Sequence, residues 1–358
     1  MPDAISMHEP GDHPVQPRNA HDTIPGKGAW AGPTYYGRSQ LKPAPFENWV
    51  VGGYIFLAGV SGSAALLSAV AETVRGKSAS AMARRGRYLS LLAPTIGSAL
   101  LVYDLHTPKR FYNMLRIAKK TSPMSIGTWI LMGFSGFAML GAAAQFLADR
   151  TSGGPKASWL ARLATLAHLP AGLLGMGLST YTASLLSSTS TPLWAAAPRW
   201  MAVRFGSSSV ASGAAALSLG ERSPRNRRAL DAIAIAALSA ELAATIASHR
   251  RYEQTGVAGS LEGGWGTAEK LGATGLGVVL PLGMLAASRR RPGLLSNAAS
   301  LAILAGSLLL RVSMMSAGDT SASDPNISFR FSQPENLPEK RQRSFFEKKN
   351  QKTFGRLG

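Results

Sequence analysis

Eight apolar stretches, each long enough to cross a bilayer and nearly free of charge, leave this chain few ways to fold. They fall at about residues 49–74, 88–106, 124–147, 159–187, 200–219, 229–248, 268–287 and 293–315. One crossing takes roughly 20 apolar residues. Lipid solvates neither unpaired backbone groups nor charges, so such stretches have to be helical and packed against one another. A soluble bundle would instead carry charge along the outer face of every helix. The expected fold class is all-α: a polytopic transmembrane helix bundle of about eight spans with both termini on the same side. The fifth stretch, interrupted by GSSSVASG, is predicted to be a broken or protein-buried helix. Runs such as GVSGSAALLSAVA and GLLGMGLSTYTAS space Gly, Ala and Ser three or four residues apart, which lets helix backbones approach closely in lipid.

The mean hydropathy is only +0.05, because polar ends dilute the apolar middle. The predicted organisation is a polar N-terminal tail (1–47), a transmembrane helical domain (48–316) and a polar, basic C-terminal tail (317–358). The formal net charge of +19 would suggest nucleic acid in a soluble protein. Here the excess sits in short linkers beside apolar stretches, where Lys and Arg set topology and meet lipid headgroups. Membrane lipids are therefore expected partners and nucleic acid is not. Alternate linkers differ in richness. The set containing Arg84, Arg85, Arg87, Arg222, Arg225 and Arg289 outnumbers the set containing Lys109, Arg110, Arg204 and Arg250. The richer set is expected on the cytoplasmic side of a bacterial inner membrane, with both tails extracytoplasmic. The linker TPKRFYNMLRIAKK is basic and aromatic on the side that should be poor in charge. It reads either as a headgroup anchor or as a docking surface or lid at the membrane surface.

The sequence contains no cysteine. That excludes thiolate ligation of an iron–sulfur cluster, c-type haem attachment and disulfides within the chain. A redox cofactor would need His or Met ligands, or would belong to a partner. The first forty-odd residues lack the apolar core of a signal peptide, so the first span is expected to act as an uncleaved signal.

Three groups of residues carry a family resemblance. The first span opens with Trp49, Tyr54, Phe56, Gly59 and Gly62. The second ends in Asp104 and Leu105, followed by Pro108, Arg110 and Phe111. The third opens with Asn113, Leu115, TSPMS, Gly127 and Trp129. In order and spacing this resembles the NrfD/PsrC family of polysulfide-reductase-type membrane anchor subunits. The match is best over roughly the first 150 residues, with Tyr181 and the Pro192–Trp194 turn as later points of contact. The resemblance implies a quinone- or quinol-interacting anchor with no iron–sulfur cluster of its own. It would pass electrons between the membrane quinone (menaquinone) pool and a four-cluster ferredoxin-like iron–sulfur subunit, often beside a molybdopterin oxidoreductase subunit. The turn after Asp104 reads Leu-His-Thr-Pro where the family more often has Gly in place of His106, which makes His106 a local variation or an added proton carrier.

Quinone chemistry needs an apolar slot, donors for two carbonyl oxygens, and groups that exchange protons. By the resemblance, the slot lies among the outer ends of the first few helices. The binding candidates are Trp49, Tyr54, Asn113, Trp129 and Tyr181, although Trp and Tyr at helix ends commonly form an interfacial belt. The proton-carrying candidates there are His106, whose imidazole titrates near neutrality, and Asp104, which could equally hold the Lys109/Arg110 turn as an ion pair. Asp231, Glu241 and His249 fall within one sector of the sixth span and form a second proton-carrying constellation. The competing structural reading of Glu241 is a neutral carboxyl bonded to a neighbouring helix. No metal site is expected.

Two other functions compete. A b-type cytochrome anchor needs paired axial His at one depth, and His106, His168 and His249 do not offer it, so haem is disfavoured. A secondary transporter would show inverted repeats, and none is visible. The FRF and SFFEKK runs of the C-terminal tail suit docking along a partner or simple disorder.

Overall fold

The computed structural model describes residues 41–105, 107–116, 118–288, 293–333 and 336, and these residues are helical with no strand among them. Helix α1 (Asn48–Arg75) leads through a 3₁₀ turn (Gly76–Ala79) into α2 (Ser80–Leu89), a π-helical segment (Ala93–Gly97) and α3 (Ser98–Tyr103). A linker holding α4 (Asn113–Arg116) precedes α5 (Pro123–Arg150), α6 (Gly154–Ser187), the short α7 (Pro192–Ala196), α8 (Pro198–Leu219) and α9 (Pro224–Thr255). Then come α10 (Gly264–Thr267), a second π segment (Ala268–Val279), α11 (Leu280–Ser288), α12 (Leu294–Ser323) and α13 (Pro325–Phe331).

Among the described residues, six segments are long and apolar enough to cross a membrane, and the first of them, Asn48–Tyr103, has 56 residues. As one rod it would measure about 84 Å at 1.5 Å per residue. That is more than twice the hydrocarbon thickness of about 30 Å. It is in fact a hairpin. Asp104 meets Glu47, Ser61 meets Ala93, and a β-carbon at Gly86 would strike Ser68. These pairs are symmetric about the 3₁₀ turn, so α2 and α3 return along α1. Helix α8 is too polar to qualify by hydropathy, yet it lies inside the bundle beside α1, α9 and α12. Splitting the hairpin and adding α8 gives eight passes, as the sequence predicts. The chain is a multi-pass membrane protein. Its described ends, residues 41 and 333, lie on one face, called here the first face.

Local chemistry sets the helix boundaries. Ser122, Ser223 and Asp324 each accept a hydrogen bond from a backbone N–H of the following turn, and each is followed by proline. The cap satisfies an orphan donor, and proline has no N–H to lose at that position. Gly256, with φ +71°, ends α9 in the left-handed conformation that glycine alone adopts at no steric cost. Backbone contact between α1 and α6 depends on the glycine pair Gly62 and Gly175: a β-carbon on either would run into the other's backbone.

Of the two alternatives for the fifth stretch, the structure has the protein-buried helix: it is continuous, and Ser209 and Ser212 turn their hydroxyls back onto the Phe205 and Ser209 carbonyls (2.8 and 3.0 Å) and so remain satisfied inside protein. The irregular segments are in the second and seventh passes instead. Proline cannot donate to the helical ladder, and Pro94 sits within the first π segment. The boundary expected at 316 falls within α12, which runs to Ser323. Beyond it, Ile327 and Phe331 of α13 are buried against a core around Trp194, Tyr252 and Met314. Phe331, read in sequence as part of a docking run, is thus a packing residue. The SFFEKK run lies outside the described residues.

Candidate functional site

A cavity of about 280 Å³ opens among the first-face ends of α1, α3, α5 and α6. Tyr54 and Ala58 line it from α1, Gly97, Leu101 and Asp104 from the returning arm, Gly127 and Thr128 from α5, and Tyr181 and Leu185 from α6. Pro45 and Phe46, just before α1, complete the wall. The lining is almost wholly apolar. Its polar groups are three threonines (Thr128, Thr182 and Thr189), two phenols and one carboxylate, and the phenols and the carboxylate lie within electrostatic reach of one another. Among the described residues, neither the Tyr54 nor the Tyr181 hydroxyl has a hydrogen-bond partner, so both donors are available to a ligand. Gly127 makes the arrangement possible, since a β-carbon there would overlap the Tyr181 ring.

Of the predicted binding residues, the structure gathers Tyr54 and Tyr181 at the cavity and leaves out the rest. Trp49 is 60% exposed and Trp129 42% exposed, on helix faces turned outward, as an interfacial belt requires. Asn113 is exposed on α4 and does not line the cavity, whereas its neighbour Met114 does. Asp104 lines the cavity but forms no ion pair with Lys109 or Arg110. Its Oδ1 accepts the Glu47 backbone N–H at 2.9 Å, because the first N–H groups of a helix have no partners inside it. His106 lies outside the described residues.

The predicted row of Asp231, Glu241 and His249 is not a chain of contacts. Asp231 accepts hydrogen bonds from Ser218 (3.0 Å) and Ser296 (2.9 Å) near the opposite face. Glu241, 4% exposed, lies beside Ser208 and within reach of Arg204 and Arg311. His249 Nε2 stands 3.3 Å from Glu269 Oε2, and Glu269 pairs with Arg204. Glu241 and His249 therefore belong to one buried network between α8, α9, α12 and the second π segment, and Asp231 belongs to another.

Arg311 anchors that network. It is 1% exposed and donates to the Ser307 carbonyl and hydroxyl (both 2.7 Å), Ser208 (3.2 Å), Ser209 (2.9 Å) and the Phe205 carbonyl (3.3 Å). Both terminal nitrogens of this deep charge are thus satisfied, and its Nε has no partner among the described residues. The sequence reading missed Arg311 and Glu269 and assigned Arg204 to a surface linker. An isolated charge inside an apolar run, as in LLLRVSMM, was the available signal.

A third polar cluster closes the opposite end of the first four passes. Glu72 receives Arg87 Nη2 (2.6 and 2.7 Å) and Thr165 (3.0 Å), and lies 3.0 Å from His168 Nδ1. His168 Nε2 meets Ser68 at 3.0 Å, and Arg87 Nη1 meets Gln145 at 2.6 Å. Both nitrogens of His168 are thus held by protein. Arg87, read from sequence as a topological surface charge, is buried in this cluster.

Residues 40–322 match the family model described as "Polysulphide reductase, NrfD". The C subunit of the polysulfide reductase of Wolinella succinogenes is 28% identical in an alignment of 151 residues, gaps included, that covers 39% of the present sequence and 47% of that protein. The aligned region thus spans about half the length of this relative.

Proposed function

This chain belongs to the polysulphide reductase NrfD family, and on that premise we propose that its cavity binds a quinone or menaquinone and that the chain anchors a multi-subunit oxidoreductase in a bacterial inner membrane. The observation that carries this reading is the pair of unpartnered phenols, Tyr54 and Tyr181, in a mainly apolar cavity at one end of a membrane bundle. A quinone ring has apolar faces and two carbonyl oxygens, and its site needs donors at its ends and a dry slot between. Its volume of about 280 Å³ sits near the lower limit of about 300 Å³ for small-molecule sites, which suits a headgroup whose tail stays in lipid.

In this reading, oxidation of a quinol releases two electrons and two protons, and reduction takes them up. Tyr54 and Tyr181 donate hydrogen bonds to the two oxygens and stabilise the charge that develops on them. Asp104 supplies a carboxylate beside the phenols, and His106 is the nearest proton exchanger along the chain. The electrons pass to or from a four-cluster ferredoxin-like iron–sulfur subunit, itself joined to a molybdopterin subunit. The exposed basic linker beside the cavity, with Lys109, Arg110, Arg116, Lys119 and Lys120, supports docking of an acidic partner on the first face. The first face is then extracytoplasmic. The buried network of Glu241, Arg204, Glu269, His249 and Arg311 is the candidate for long-range proton transfer.

The test is purification of the chain from its native membrane in mild detergent, followed by quinol titration of the isolated complex. Iron, molybdenum and a ferredoxin-like partner arriving with it, and quinol turnover abolished when the cavity is filled by Gly127→Val, are the expected results. A metal-free chain that binds no quinone would defeat the reading.

A further inference from the structure

The segment just ahead of α1 is fastened more firmly than a connecting segment requires. Two carboxylates from distant parts of the chain hold it. Asp319 on α12 accepts the Ala44 backbone N–H at Oδ1 (3.2 Å) and the Asn48 side-chain amide at Oδ2 (2.7 Å). Asp104, after α3, accepts the Glu47 backbone N–H (2.9 Å). Hydrogen bonds to ionised acceptors are the stronger kind, and these three pull the segment across the end of the bundle. Ala44 packs on the buried core, and Pro45 and Phe46 form part of the cavity wall while their other sides face outward.

The wall formed by α3 is built differently. Helix α3 contains no buried residue and stands between the cavity and the outside. The π segment before it, containing Pro94, packs against α5, and beyond that point both α3 and α5 line the cavity. Met124 at the start of α5 is half-exposed on this flank. One side of the cavity is strapped shut by hydrogen-bonded backbone, and the other is bounded by α3, which buries no residue, and by the outward-facing start of α5.

We infer that residues 41–47 are a strap that seals the water-facing mouth of the cavity, with Asp104 and Asp319 as its positioning residues, so that ligand enters sideways from lipid between α3 and α5. This assigns both aspartates to access control and names the ligand class as a lipid-dissolved molecule. It rests on the cavity being the quinone site, but its test does not.

This chain has no native cysteine, so labelling read on its own band after the subunits are separated reports one introduced thiol. Thr128→Cys places one thiol in the cavity wall of the full-length chain, studied in its native complex in open membrane fragments. Two probes are compared: the neutral, apolar N-phenylmaleimide and a permanently charged trimethylammonium methanethiosulfonate. With the strap intact, the apolar probe labels the thiol introduced at position 128 and the charged probe does so slowly. Adding Asp319→Ala raises the charged-probe rate about tenfold or more, the factor expected for losing hydrogen bonds to a charged acceptor, and leaves the apolar-probe rate unchanged. Phe46→Ala, at a surface position that does not threaten the fold, gives the same direction and carries the test if Asp319→Ala fails to assemble. An unchanged charged-probe rate in the variants, or equal acceleration of both probes, overturns the strap. A long-chain quinone should slow apolar labelling with the strap intact. Failure of that protection alone removes the quinone assignment and leaves the strap standing.

Discussion

Tyr181→Phe isolates one atom of the proposed site. The ring that packs over Gly127 stays, the cavity keeps its shape, and only the hydroxyl is lost. That hydroxyl has no protein partner among the described residues, so its removal strands no donor or acceptor, and the effect reports on the ligand alone. A hydrogen bond to an oxygen that becomes charged is worth about 1.5–3 kcal/mol. The expected loss is therefore about 10- to 150-fold in kcat/KM for quinol. If the bond strengthens as charge develops, the loss falls on kcat. If it is equal in substrate and transition state, it appears in KM. The assay is steady-state quinol turnover by the purified complex, with thermal unfolding as a control for folding. Tyr54→Phe should behave alike. If the two phenols hold opposite ends of one ligand, the double variant should lose less than the product of the single losses once binding itself fails. Wild-type turnover in Tyr181→Phe, with the variant folded and saturable, would refute the placement of the quinone oxygen at this phenol.

Other outcomes follow from the geometry. Gly127→Ala should reproduce most of the Tyr181→Phe defect with the phenol still present, because the added methyl overlaps the ring and displaces it; normal turnover would mean that the ring position is unimportant. Arg204→Ala leaves Glu269 buried without its cation and should destabilise the bundle by about 3–5 kcal/mol in thermal or denaturant unfolding. Joint replacement of Arg204 and Glu269 by apolar residues should recover part of that loss. Gly62→Ala drives a methyl into the Gly175 carbonyl oxygen and should cost about 1–3 kcal/mol, whereas Gly283→Ala, with open space around it, should be neutral. Arg116→Glu, Lys119→Glu and Lys120→Glu together should reduce co-purification of the iron–sulfur partner, most sharply at moderate salt. Retained partner at all salt concentrations would place the docking surface elsewhere.

The apolar stretches alone determined the fold class and the pass count, because the bilayer imposes a length on every span and forbids unpaired backbone within it. The family resemblance, rather than periodicity or spacing, singled out Tyr54, Asp104 and Tyr181, and these three line one cavity. The sequence could not say which way each side chain faces. Trp49 and Trp129 share the composition of a binding site, yet they turn outward, since a rotation about the helix axis separates belt from pocket. Polarity misled in the same way at α8, whose serines weaken a hydropathy signal but face Arg311 rather than lipid. Arg87 and Arg204 looked like topological surface charges because their partners, Glu72 and Glu269, are 15 and 65 residues away in the sequence. Whether a charge in or beside a span is solvated, paired or exposed depends on what neighbouring helices bring to its depth. Tertiary packing alone decides that, because the cost of burying the charge is met by groups that sequence distance does not reveal.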